Sequence, residues 1–422
     1  MSQAPNDSIP VAVLTPRLPP SGGIGGIATA HFNLFSALSK AGWHVKAFAY
    51  QDSQEIESAT ELRCRQSKAL AAGIQGVCKA ALAVLSPRRQ SYQLADTLSG
   101  AIAGLGIGRS LARFRPRIII APDKGAPLAF VAKPPGARLI WISHNNPMRF
   151  LGMHAVPPLS ALDARLAVRI EQRALKKADL VLCPSRHMRE QFLETYRFGG
   201  RIEVVPHLIS DAVAAAAPAT PTLRQMLRLS GNAPLFYLPG AGTSVKGGKY
   251  LAPLLSEIGR RHAEAGVFLS GHLENSHLAA PAGAPANVRV FSPGPLPYAE
   301  NLARVRECDV ALSPALFESF GMALLEAAWL GVPAAAFSVG GIPDLIGRTD
   351  GGSNGEIVPA GDIASLCDAG DALLGKLRGG ELTRAQVSEY TRTRFSTART
   401  LGQIETLIYS LLEKAPQPGR QA

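Results

Sequence analysis

A chain of 422 residues is longer than one ordinary hydrophobic core organises and suits two domains of about 200 residues each. Its hydrophobic content of 46%, with 41 Gly and 32 Pro, excludes a disordered or fibrous protein and describes a globular one with many tight turns. The net charge of +12 belongs wholly to the first half, where Met1 to Asp211 carry 26 Lys and Arg against 14 Asp and Glu while the remainder balances 18 against 18. Such a half suits anionic partners, with an anionic membrane surface, lipid-linked phosphates and nucleic acid as the candidates.

The opening MSQAPNDSIP lacks a charged segment followed by an apolar one, so a cytoplasmic protein is expected. Five scattered cysteines without CxxC spacing point to neither a disulfide framework nor a zinc site. An apolar strand, Val11 to Leu14, leads into PRLPPSGGIGG, then into a helical stretch ATAHFNLFSALSKAG closed by Gly42, and then into a second strand, WHVKAFAY. This β–Gly-rich loop–α–β order is that of a doubly wound parallel sheet. From Ser67 to Arg117 the run ALAAGIQGVCKAALAVL carries Gln75 and Lys79 and is followed by Arg88 and Arg89. Its length and charge make it a poor membrane span; it reads as an amphipathic helix on a bilayer or as a buried or interdomain helix, and the second is the expectation adopted.

Further strands are expected at Arg117 to Ala121, Arg138 to Ser143 and Asp179 to Pro184. The Ala/Pro-rich run from Ala212 to Thr222 reads as a linker. The scheme then repeats with strands at Leu235 to Gly240, Gly266 to Gly271, Val288 to Gly294, Asp309 to Pro314 and Pro333 to Ser338, with helices including PYAENLARVREC and GMALLEAAWL between them. From Ser388 the amphipathic pattern SEYTRTRFSTARTLGQIETLIYSLLEK predicts a last helical stretch. The domains are accordingly expected at 1–211 and 212–395.

Two glutamates, Glu318 and Glu326, bracket ESFGMALLE. A helix opening at Ser319 or Phe320 would set their carboxylates roughly 12 Å apart along its axis, with Glu318 ahead of a first turn whose free N–H groups suit an anion. Glu326 falls inside the apolar run MALLEAAWLGVPAAAF, where an ionised carboxylate is costly without a partner, so its presence there points to function.

Taken together, LPYAENLARVRECDVALSPALFESFGMALLEAAWLGVPAAAFSVGGIPDLI and the following GEIV resemble the retaining glycosyltransferases of family 4 (glycosyl transferases group 1). The resemblance implies the GT-B fold: α/β, two Rossmann-like doubly wound domains facing a central cleft, with the final helix, at about 396–415, returning to complete the first domain. It implies that Glu318 contacts hydroxyls of a donor sugar, that the backbone at Phe320, Gly321 and Met322 holds that sugar or its phosphate, and that Glu326 accepts hydrogen bonds from the ribose. Lys246, in PGAGTSVKGG, aligns with the lysine that binds the donor phosphates, but Ala241 stands where the family commonly has an arginine. His144 matches a histidine facing the reaction centre, and Gly23, Gly25 and Gly26 of SGGIGG would approach the diphosphate. VVPHLIS departs from the family's V-I-P-N-G, and no site is placed there.

The implied activity is transfer of a hexose from a nucleotide diphosphate sugar, with retention and without a metal or other cofactor, the leaving phosphate taking the acceptor proton. The basic first half makes a glycan or lipid-linked acceptor at the inner face of the cell membrane the expected partner, in cell-envelope or exopolysaccharide biosynthesis. Nucleic acid is not expected, since no aromatic-basic recognition motif is present. A nucleotide-sugar epimerase of the same fold and a non-catalytic nucleotide-sugar-binding scaffold are the alternatives, the second suggested by Ala241.

Overall fold

The computed structural model describes residues 9–19, 25–86, 88–151, 158–210, 213, 219–277, 279–349 and 352–413. The chain forms two compact units, one running to Leu208 and resuming at Thr397, the other spanning Ile209–Ser396. In the first, strands β1 (Val11–Thr15), β2 (Val45–Asp52), β3 (Ile56–Glu57), β4 (Glu61–Arg65), β5 (Ile118–Pro122), β6 (Arg138–Ile142), β7 (Leu180–Cys183) and β8 (Arg201–Val204) make one sheet in the order β3-β4-β2-β1-β5-β6-β7-β8. Only the β3–β4 pairing is antiparallel among them. Helices α1 (Gly26–Lys40), α2 (Lys68–Leu85), α3 (Gln93–Phe114), α4 (Ala161–Leu175) and α5 (Arg186–Thr195) connect the strands. The C-terminal helix Thr397–Glu413 adds Ile404, Leu407 and Ile408 to the core formed by Val11, Val13, Ile118, Ile140 and Leu34. Trp43 Nε1 anchors it by donating to Glu405 Oε1 at 2.8 Å.

The second unit repeats the plan with β9 (Leu235–Pro239), β10 (Ala265–Ser270), β11 (Val288–Phe291), β12 (Val310–Ser313), β13 (Ala334–Phe337), a short antiparallel pair β14 (Arg348–Thr349) and β15 (Gly352–Ser353), and β16 (Gly355–Val358). Its parallel sheet has the order β11-β10-β9-β12-β13-β16. Its helices include α6 (Leu251–Arg261), α7 (Tyr298–Glu307), α8 (Met322–Trp329), α9 (Ile363–Gly379) and α10 (Arg384–Phe395). Successive residues of β9 point to opposite faces, so Tyr237 joins Phe268, Leu302 and Leu324 on one side while Phe236 and Leu238 join Leu254, Ile258 and Leu366 on the other.

The apolar strands lie where the sequence places them, their ends shifted by a few residues at most. Strands β3, β4 and β8 were not anticipated, because charged residues mask their apolar alternation. In β4, Arg63 is buried, its two terminal guanidinium nitrogens donating to the carbonyls of Leu18 and Pro19 and the carboxylate of Glu61. The buried or interdomain reading of α2 is corrected: Cys78 and Leu82 are its buried residues, and most of its remaining surface is exposed. The expected linker falls largely on residues outside the described ones.

Both sheets reverse their winding beside their first strand, between β1 and β5 and between β9 and β12. Loops leaving the carboxyl ends of such a strand pair diverge to opposite faces and leave a crevice that suits a ligand.

Candidate functional site

At the switch point of the second sheet, the loops after β9 and β12 bring two sequence-distant side chains together: Lys246 Nζ lies 2.6 Å from Glu318 Oε1. The loop after β9 is shaped by Glu274, whose Oε2 accepts from the Ser244 N–H at 3.0 Å and the Ser244 hydroxyl at 2.5 Å. Leu316 N–H donates to the Val245 carbonyl at 2.9 Å, stitching the two loops directly. The turn after β13 closes on them, where Gly341 N–H donates to the Glu318 carbonyl at 2.8 Å. Gly340 has φ +54°, and a Cβ there would lie 2.0 Å from that same carbonyl oxygen, so this approach requires glycine.

Helix α8 begins at Met322, later than the sequence suggests. Gly321 has φ +101°, outside helical space, and a side chain there would press on Ile342 and Leu345. Glu318 to Gly321 is therefore loop, and the ideal-helix spacing between the two glutamates does not apply. Phe320 is a core residue at 1% exposure, its ring 5.9 Å from that of Phe395. The N–H groups of Met322 and Ala323 stand in the first helical turn, where the helix itself supplies no acceptor.

Glu326 is buried on α8, and Tyr298 of α7 donates its hydroxyl to Glu326 Oε1 at 2.9 Å. Burial pushes the Glu326 carboxyl up from 4.5 to about 7, and the tyrosine hydrogen bond only partly opposes it. A single donor thus leaves acceptor capacity on a carboxylate poised between its two protonation states. Tyr298 was missed from sequence because nothing local links it to a residue on another helix. Ala241 is fully buried among Leu251, Leu254 and neighbours, so no cation stands at that position.

In the first unit, Gly25 and Gly26 open α1 at the switch point and line a cavity of about 670 Å³ with Arg17, Gln51, Gln66, Asp96 and Lys124. Lys124 and Asp96 form an ion pair across it. Gly23 lies outside the described residues. His144 follows β6 but is 4% exposed. Its Nε2 meets His31 Nε2 at 2.9 Å and its Nδ1 meets His207 Nε2 at 3.2 Å, so it presents neither ring nitrogen to a ligand in this structure. The void beside these rings, about 20 Å³, is too small for a sugar. Burial lowers all three, His31 to about 3 and His207 to about 4, with His144 held well below its ordinary range, also chiefly by burial. The three form a neutral imidazole chain; His31 carried no sequence signal beyond its place on α1.

Asp123, just after β5, was also missed. It is fully buried and accepts from Asn145 N–H at 2.6 Å, and burial lifts its carboxyl to about 7.

Two Rossmann-like units with these loop junctions define a protein of the GT-B class. The description "Glycosyl transferase 4-like domain" matches residues 25–207 and "Glycosyl transferases group 1" matches 220–394. The second unit thus belongs to the glycosyl transferases of group 1, and the first carries the glycosyl transferase 4-like domain. It is 29% identical to a 2-deoxystreptamine glucosyltransferase of Streptomyces kanamyceticus over 52% of this chain and 59% of that protein. The chain spans about three-fifths of the length of the curated relatives it matches first, 59% and 61%. Its fold is similar to that of sucrose-phosphate synthase from Thermosynechococcus elongatus, with TM-score 0.71 at 16% identity, covering 96% of this chain and 100% of that one. It is similar also to HepE of Anabaena in complex with UDP-glucose, with TM-score 0.61 at 16% identity, covering 95% and 100%.

Proposed function

We propose that this chain transfers a hexose from a nucleotide diphosphate sugar to a glycan acceptor carried on a lipid, with retention at the anomeric carbon and without a metal. The observation that carries the reading is the Lys246–Glu318 pair at the switch point of the group 1 unit, with buried Glu326 on the helix that follows. In this reading Lys246 turns from Glu318 to the donor diphosphate, and Glu318 is released to accept hydrogen bonds from the sugar hydroxyls. The N–H groups at Gly321 and Met322 face the phosphate or sugar, and Glu326 accepts from the ribose. Gly23, Gly25 and Gly26 belong to the same reading, and His144 enters it as a residue that positions through its neighbours. The glucosyltransferase relative and the UDP-glucose complex support a hexose and a nucleoside diphosphate. The positive first half supports an anionic, lipid-linked acceptor at the cytoplasmic face of a membrane, in cell-envelope or exopolysaccharide assembly.

The test has two steps. Melting shifts are measured with UDP, GDP, ADP and their sugars, since a ligand of the native state raises the transition. With the donor so found, labelled transfer to lipid-linked acceptors is followed, and the anomeric configuration of the product is read by NMR. Glu318→Ala is expected to abolish transfer while donor binding persists; full activity in that variant defeats the assignment. Ala241 favours a second reading, a nucleotide-sugar-binding scaffold, and donor binding without transfer by the unaltered chain selects it.

A further inference from the structure

Helix α2 leaves an apolar surface without a protein partner among the described residues. Leu70 is 52% exposed, Val77 72% and Val84 81%, at seven-residue spacing that aligns them along one face. Leu85 beside them is 66% exposed. Between them and the lysines, Ala69, Gly73, Gly76, Ala80 and Ala83 make a smooth outer surface. The inward side is the narrow row of Ala71, Ile74, Cys78 and Leu82.

The charge along this segment of the chain has one sign. Between Glu61 and Asp96 the sequence has no carboxylate, while Arg65, Lys68, Lys79, Arg88 and Arg89 are all exposed. Basic side chains at the edge of an apolar helical surface bury their stems and keep their charges at headgroup level.

The helix is long and apolar enough to cross a membrane by composition, but both its ends are fastened to the same unit. Before it, Gln66 N–H donates to the Asp52 carbonyl at 3.0 Å and Gln66 Nε2 to Ser99 Oγ at 2.8 Å. After it, the hydroxyls of Ser160 and Ser86 meet at 2.9 Å. A helix held at both ends and packed along one side lies flat.

We infer that the outer face of α2, with Arg88 and Arg89, docks on an anionic lipid surface. This rests on the lipid-linked acceptor reading for its biological sense, but its test reads membrane binding without donor or acceptor. Ala71 and Gln75 of the same helix line the 670 Å³ cavity, so docking would bring that cavity's mouth next to the headgroups.

The experiment is co-sedimentation of the full chain with phosphatidylglycerol/phosphatidylcholine vesicles and with phosphatidylcholine alone. Binding to the anionic vesicles, weakened by salt, and little to the neutral ones is expected, each basic residue near the surface being worth roughly fivefold in partitioning. Val77→Asp with Val84→Asp, and separately Lys79→Glu with Arg88→Glu and Arg89→Glu, should each lower anionic binding at least tenfold. Both sets change exposed side chains, so an unchanged melting curve certifies the fold. Absence of vesicle binding overturns the inference, as does equal binding by the variants. A dimer in sedimentation equilibrium that Val77→Asp dissolves, with no vesicle binding, assigns the face to a second copy of the chain and also overturns it. Failure of donor binding with intact vesicle binding counts against the transferase reading alone.

Discussion

Replacing Glu326 by Gln should make the protein more resistant to alkaline pH while impairing its recognition of nucleotide. The carboxyl moves from 4.5 to about 7 on folding because burial penalises its charged form. A raised acid pKa means that the folded state holds the proton more tightly, so stability is greatest below the unfolded pKa and is lost as pH rises through the folded one. At about 1.4 kcal/mol per unit, the full loss is about 3 kcal/mol. Of that, about 2 kcal/mol falls between about pH 5.5 and about pH 9. Gln keeps the acceptor for Tyr298 and cannot ionise, so its stability relative to the parent should improve by about 2 kcal/mol across that interval. For a unit of this size the parallel change in melting temperature is roughly 4–8 °C. Urea titrations or melts of both proteins at the two pH values measure it. The variant's affinity for a nucleotide diphosphate sugar should also fall and lose its pH dependence near neutrality. A stability gap that does not change with pH refutes the argument, because it would mean that Glu326 does not titrate in the folded protein.

Tyr298→Phe removes the hydrogen bond that lowers the Glu326 carboxyl, so the midpoint of the pH dependence of donor affinity, followed by calorimetry, should move above about 7. Lys246→Ala should weaken binding of the nucleoside diphosphate at least tenfold, the value of a charge-assisted contact, and should also lower the melting temperature, since it leaves the largely buried Glu318 without its cation. His144→Ala takes a partner from both His31 and His207 inside a buried cluster and should cost about 2–4 kcal/mol in urea unfolding. Relative to a variant carrying His31→Gln and His207→Gln, the unaltered chain should lose stability in acid, a comparison that cancels the opposite trend of Glu326 and Asp123, whose raised carboxyls stabilise the fold as pH falls. His31 and His207 have folded values of about 3 and about 4, so the unfolded chain takes up protons first as pH falls below 6.5. The loss should be roughly 2–3 kcal/mol per histidine by about pH 4.5, read from melts of the full chain.

The repeated α/β plan was legible because its central strands are buried on both faces. Strands such as β5, with all five residues buried, must be continuous apolar runs, and such runs bounded by loop residues are conspicuous in sequence. Edge strands and arginine-bearing strands depend on partners supplied by the tertiary fold, as the Arg63 contacts to Leu18 and Pro19 illustrate. Helix α2 was misjudged for a related reason. Its apolar composition is that of a core helix, and composition alone does not reveal which side the protein leaves open.

Glu326 stood out as a candidate because a carboxylate in an apolar helix departs from its local pattern, Glu318 because it was expected at a helix start that the structure places later, and Lys246 through the resemblance alone. The coupling of the last two was not legible, because Lys246 and Glu318 meet only when β9 and β12 become neighbours in the sheet. The same geometry gives the pair its chemical meaning. Two opposite charges at the carboxyl ends of adjacent parallel strands neutralise one another while the crevice is empty, which spares either the cost of partial burial alone. On the proposed reading, a diphosphate arriving there would supply a stronger partner for the lysine and leave the glutamate to find hydroxyl donors. On that reading such an exchange is completed by a ligand that places sugar hydroxyls directly beyond its diphosphate, as a nucleotide sugar does.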